Sequence, residues 1–281
     1  MQEGGAFLIN SLIGLLMGIA NLIPGVSGGT IALVSGIYGR LMNSIATLTE
    51  LKFKKKDLLF LFQLVAGIAV GIFAFSRLVE YSIDTFPSLT YGFFAGLVAG
   101  GIPSVYIRIG KFTPKKIISL VAGVLLVLLL SLWGNVPNAG YPAHSNHSIS
   151  LLLYDWLAGF VGAASMILPG LSGSFVLLIM GEYERIISAI NDLDLLILLF
   201  VAVGIVIGTI FITRIIRMLL KKMPGKTFSF LMGLMLGSFP DLLSRPGKET
   251  RFFEISVGLV LGAMLSIAIS KLEGKKIESN T

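Results

Sequence analysis

The sequence predicts an all-α polytopic membrane protein built from two inverted-topology repeats, each a broken, re-entrant helical hairpin followed by three transmembrane helices. Three observations predict it: long stretches without charge, an internal repeat, and basic residues gathered in short loops. Only 13% of the 281 residues are charged and 55% are hydrophobic, whereas soluble domains carry about a quarter charged residues. None of residues 4–39, 58–76, 85–107, 156–181 and 195–213 is Asp, Glu, Lys or Arg. A helix needs about 20 apolar residues to cross the hydrocarbon core, and several of these stretches suffice. The apolar runs are continuous rather than alternating, which argues against a β-barrel.

The repeat is direct. Residues 22–40 read LIPGVSGGTIALVSGIYGR and residues 167–185 read ILPGLSGSFVLLIMGEYER. This register pairs Pro24 with Pro169, Gly25 with Gly170, Ser27 with Ser172, Gly28 with Gly173 and Arg40 with Arg185. A second register pairs Asp57 with Asp194, Gly67 with Gly204, Arg77 with Arg214, Pro87 with Pro224 and Pro103 with Pro240. Two Leu-rich helices alike by chance would not also align Pro, Arg and Asp, so the chain reads as a duplication.

In chain order, the first unit (1–133) is a broken hairpin over 7–48 and spans near 57–80, 88–108 and 114–133. An extracytoplasmic loop follows at 134–151. The second unit (152–272) is a broken hairpin over 152–191 and spans near 194–218, 226–242 and 252–270, before a cytoplasmic tail at 273–281. The last two spans are short, which fits helices that are less tilted or packed inside the bundle. Glycines four apart at Gly67/Gly71, Gly96/Gly100, Gly204/Gly208, Gly233/Gly237 and Gly258/Gly262 predict close helix packing.

Orientation follows from the basic residues. Lys52, Lys54, Lys55 and Lys56 mark a cytoplasmic loop, as do Arg108, Lys111, Lys115 and Lys116. Arg214, Arg217, Lys221, Lys222 and Lys226, and then Lys271, Lys275 and Lys276, mark two more. The 134–150 loop has no Lys or Arg and 191–194 is acidic, so both face outward. Arg245, Lys248 and Arg251 go against this scheme. A hairpin makes no net crossing, so each unit crosses an odd number of times and the second is inverted. Both termini then lie in the cytoplasm, in a bacterial inner membrane. The beginning of the sequence has no basic n-region, and no cleaved signal peptide is expected.

The net charge of +7 belongs to these loops and does not indicate a nucleic-acid partner. The absence of cysteine excludes disulfides, thiolate metal ligands and thiol catalysis. His144 and His147 are too few for a metal site, and no cofactor is expected. The expected partners are the bilayer and a membrane lipid, with self-association left open.

The breaks carry the functional expectation. Pro24 and Pro169 interrupt their helices. Gly25, Gly28 and Gly29, with Gly170 and Gly173, permit unusual backbone and close approach. Ser27 and Ser172 are candidate N-caps for the helices that follow. A helix N-terminus inside the membrane presents amides and the positive dipole end, which suits an anion. Thr30, Ser174 and Asn21 add polar side chains. Inverted repeats with interrupted helices are the mark of alternating-access transporters. Thirteen residues separate Ser27 from Arg40, about 20 Å of helix, with the breaks placed near the midplane. Arg40 and Arg214 then sit near the inner face, and Arg77 and Arg185 near the outer one. Arg suits bidentate phosphate recognition. Glu182 and Glu184 occur only in the second copy, either carrying a coupling proton or, as the preferred reading, pairing with Arg185.

The motifs NLIPGVSGGT and LPGLSGS, each followed by G-x-Y-x-R, resemble the bacterial polyprenyl-phosphate transporter family along nearly the whole chain. The resemblance implies a flippase, not an enzyme, that returns undecaprenyl phosphate from the outer to the inner leaflet for recycling in cell-wall synthesis. Two other readings stand beside it. The Pro-Gly-x-Ser turn also resembles that of undecaprenyl pyrophosphate phosphatases, but Gly28 and Gly173 occupy the Arg position and 4–39 lacks the acidic partner. A small-anion channel or exchanger is the other.

Overall fold

The computed structural model describes residues 2–23, 26–50, 54–133, 147–246 and 251–278. The described residues form helices joined by turns, with no strand among them. The first unit holds α1 (Gln2–Asn21), α2 (Gly28–Val34), α3 (Tyr38–Thr49), α4 (Lys55–Thr85), α5 (Pro87–Ile109) and α6 (Pro114–Trp133). The second holds α7 (Ile149–Ile167), α8 (Gly173–Met180), α9 (Tyr183–Asn191), α10 (Leu195–Lys222), α11 (Pro224–Ser244) and α12 (Phe252–Glu278). Seven of these, α4 to α7 and α10 to α12, are long and apolar enough to cross a membrane, and the protein is a polytopic membrane protein.

Both units use the same local chemistry. A single residue, Phe86 or Met223, joins α4 to α5 and α10 to α11, and Pro87 or Pro224 opens the following helix. Proline suits a first turn because its missing N–H would have no intrahelical partner there. Helices then associate in four tight pairs: α1 with α4, α7 with α10, α5 with α12, and α6 with α11. Each pair closes on glycine, because lipid supplies no hydrophobic drive and backbones must approach closely to gain contact. Gly67 abuts Ser11 and Gly14, and Gly71 abuts Leu15 and Gly18. Gly204 meets Trp156 and Gly208 meets Phe160; Gly96 meets Leu259 and Gly100 meets Ala263; Gly233 meets Leu120 and Gly237 meets Val124. Residue numbers rise together in every pair, so each pair runs parallel.

Packing fixes the helix directions. α5 packs along α11 with the start of α11 against the end of α5, Gly225 beside the Ile109 carbonyl and Arg108 over the Phe228 ring, so α11 opposes α5. The one-residue links then make α4 oppose α5 and α10 oppose α11. Thus α4 and α10, the matching helices of the two units, run in opposite directions. At the centre α5 packs on α11, with Val98, Leu231, Leu234 and Met235 fully buried around the breaks. The last two spans are longer than the sequence suggests, α11 at 21 residues and α12 at 27, with α11 central and α12 peripheral.

Candidate functional site

The two breaks meet each other. Ser27 takes the N-cap of α2, with extended backbone at φ −123° and ψ 151°, and its Oγ accepts from the Thr30 amide at 3.3 Å. The same hydroxyl donates to the Leu168 carbonyl at 3.1 Å. Across the contact, the Gly170 amide donates to Thr30 Oγ1 at 2.9 Å. Tyr38 donates to the Ile167 carbonyl at 3.3 Å. Side chains of the first break thus satisfy backbone groups of the second, 129 to 141 residues away in sequence, where helical bonding is interrupted, as a membrane interior requires. Gly29 and Gly170 make the approach possible. A Cβ on Gly29 would collide with the Ile167 carbonyl, and one on Gly170, whose φ is +79°, with the Leu234 carbonyl. Pro169 is buried in the second turn. Pro24 and Gly25 lie outside the described residues.

The two helix starts differ. At α2 the amides are occupied: the Gly28 amide donates to Asn21 Oδ1 at 2.7 Å, and Ser27 caps Thr30. At α8, Ser172 occupies the N-cap but makes no side-chain cap bond; its Oγ lies 2.9 Å from Ser174 Oγ. Ser172, Gly173 and Ser174 line a cavity of about 650 Å³, joined there by Ser27 and Asn21. Its other walls are apolar, from Val26, Ile72, Leu177, Ile187 and Ile205. A second cavity of about 440 Å³ lies toward the α3 end, lined by Gly28, Gly29, Met42 and Ile45. Asn21, Ala163, Met166 and Ile205 line both cavities, so Asn21 stands at the junction.

The arginines fall in four different settings. Arg185 is buried and ion-paired to Asp155, with Nε to Oδ1 at 2.7 Å and Nη2 to Oδ2 at 2.9 Å. Its preferred sequence partner, Glu182, is secondary: Oε2 lies 3.8 Å from Nε, while Glu184 is exposed. Arg40 is exposed and lies over the Phe60 ring at 4.1 Å. Arg77 is exposed, with no partner among the described residues. Arg214 reaches the Thr49 carbonyl at 3.5 Å. None of Arg40, Arg77, Arg185 and Arg214 lines the larger cavity. The 20 Å count from Ser27 to Arg40 is also corrected. α2 ends at Val34 and the chain turns at Gly36, φ +86°, with the same turn at Gly181, φ +73°.

Sequence reasoning missed two features. Asp155 is the one charged residue between Ile149 and Gly181, and a carboxylate at that depth calls for a named partner. Arg217 reads in the sequence as one of a group of loop charges. Its Nη1 meets Glu50 at 2.6 Å and its Nε meets Asn43 at 3.1 Å, tying the end of α10 to the end of α3. His147 is also engaged, 2.6 Å from Asp194; His144 lies outside the described residues. Among the described residues, no group of His, Asp and Glu suits a metal.

These features define a polytopic membrane protein whose interrupted helices meet beside a cavity, polar at one helix start and apolar elsewhere. The chain belongs to the family described as undecaprenyl phosphate translocase-like, matching it over residues 17–257. It is 32% identical over 262 residues to a polyprenyl-phosphate transporter of Vibrio cholerae serotype O1, covering 89% of this chain and 81% of that one. It is 32% identical over 279 residues to a polyprenyl-phosphate transporter of Staphylococcus aureus, covering 94% and 96%. No solved structure matches it.

Proposed function

We propose that the protein transports a polyprenyl phosphate, carrying undecaprenyl phosphate from the outer to the inner leaflet of the cytoplasmic membrane for reuse. The observation that carries this reading is the start of α8. Its cap residue leaves the first-turn amides to other partners, and its polar groups open onto a cavity with apolar walls. A helix N-terminus with hydroxyls favours a phosphate, and the apolar walls suit the adjoining prenyl units. The two relatives bear the name polyprenyl-phosphate transporter. The headgroup binds among Ser172, Gly173, Ser174, Ser27 and Asn21. It then passes the contact of Thr30, Gly170 and Pro169 toward Gly28 and Gly29 in the second cavity. Pro24 and Gly25 belong to this path by their place in the motif. The fixed dipoles replace water that a bare phosphate could not lose cheaply.

In this reading the units are inverted repeats, both termini are cytoplasmic, and the hairpins are re-entrant. The opposed directions of α4 and α10 support the inversion. The α3–α10 contact then seals the cytoplasmic mouth through Arg217, Glu50 and Asn43. At the other mouth Glu80, which matches Arg217, and Arg77, which matches Arg214, are exposed with no partner among the described residues. The structure is thus read as outward-facing. Arg77 serves capture at the open mouth and Arg40 and Arg214 serve release, while Arg185, buried against Asp155, stays out of the path. Purified protein in liposomes will move a labelled polyprenyl phosphate between leaflets; a rate equal to protein-free liposomes refutes the proposal.

A further inference from the structure

The second unit holds a charge cluster that the first lacks. Asp155, Arg185 and Glu182 are 0%, 3% and 2% exposed. Asp155 uses both oxygens on the guanidinium. Glu182 lies just outside that pairing, and its Oε2 has no hydrogen-bond partner. Two carboxylates face one guanidinium, so with both ionised the cluster holds a net negative charge away from water, which is costly. One proton makes it neutral. Asp155, doubly bonded to a cation, keeps its charge, and Glu182 is the group left to take the proton.

The first unit shows that the fold does not need this arrangement. The positions matching Asp155 and Glu182 are Asn10 and Ile37. Asn10 instead donates to Gln63 at 2.6 Å, and the matching Arg40 is exposed. The cluster also borders the larger cavity: Ala158 and Gly159, one turn beyond Asp155, and Ile186 and Ile187, next to Arg185, form its wall. The elements packed around Glu182 bring few other charges. α8 has none, α9 adds the exposed Glu184, and the start of α10 adds Asp194, bonded to His147.

We propose that Glu182 is a proton-binding site coupled to anion occupancy of the adjacent cavity, so that one proton travels with each bound phosphate. This rests on the reading of the cavity as an anion site. The proton passes from water at the open mouth onto a Glu182 carboxylate oxygen and leaves when the opposite mouth opens. Coupling is reciprocal: an anion nearby favours the protonated carboxyl, and the proton favours the anion.

The test uses the full protein in weakly buffered detergent with a short-chain polyprenyl phosphate and a pH indicator. Wild type should take up about one proton per lipid bound, and its affinity should fall up to about tenfold per pH unit once Glu182 is ionised. Glu182→Gln mimics the protonated form. It should bind with little proton uptake, its remaining pH dependence being that of the phosphate itself, whose second ionisation lies near 6. Glu182→Ile reproduces the first unit's residue and guards against a fold defect in a single variant; it should behave alike. Binding with equal proton uptake in wild type and both variants overturns the coupling and leaves the transport reading standing. No binding to wild type at any pH overturns the anion site, and the coupling with it.

Discussion

Arg185 and Asp155 form a two-bond ion pair almost wholly buried from solvent, joining α9 to α7. Removing one member of such a pair strands the other charge and costs about 3–5 kcal/mol, while replacing both with apolar residues is often nearly neutral. Arg185→Met, which strands Asp155 and Glu182 together, should therefore lower the melting temperature in detergent far more than Arg185→Met combined with Asp155→Ala. Equal destabilisation of the single and double variants refutes this account of the pair.

Gly29 sits where the breaks touch, and a methyl group there meets the Ile167 carbonyl. Gly39, ten residues on, has open space. Gly29→Ala should impair lipid movement at least tenfold or prevent stable expression, and Gly39→Ala should match wild type. The comparison fails if both variants behave alike.

The Arg217–Glu50 pair is partly exposed, so it contributes at most about 1 kcal/mol to stability. Its proposed work is to hold α3 against α10. Glu50→Ala should leave the melting temperature nearly unchanged yet increase labelling of a cysteine placed at Ile45 by a water-soluble maleimide. The native chain has no cysteine, so the readout has no background. Unchanged labelling counts against α3–α10 as a gate.

Asp194 caps α10 and bonds His147, and the hydrogen bond from His147 is the chief cause holding its carboxyl below the usual 3.8. A depressed carboxylate contributes stability above its unfolded value and loses it as pH falls through the lower folded value. Melting profiles of wild type and Asp194→Ala should differ near neutrality and converge below about pH 3.8. A difference that grows with acidity rules this out.

The fold was largely legible because its punctuation is strong. Pro87 and Pro224 open helices one residue after the previous helix ends, and glycines four apart mark every tight pair. Both breaks were also visible as repeated motifs. The turns at Gly36 and Gly181 were not, because a lone glycine following an apolar run is compatible with continuous helix. Arg185 with Asp155, and Arg217 with Glu50, escaped notice for another reason. Each partnership spans tens of residues or more and depends on which helix faces which, and that is decided by packing rather than by local pattern.

If the start of α8 holds the phosphate, Ser172 and Ser174 are the side chains that bind it. Protein with both serines changed to alanine should fold as wild type does, since Ser172 makes no side-chain cap bond. In liposomes, loss of two hydrogen bonds to a charged group, about 1.5–3 kcal/mol each, should slow leaflet-to-leaflet movement of labelled polyprenyl phosphate by at least about tenfold. A rate equal to wild type, with correct folding, would contradict the account.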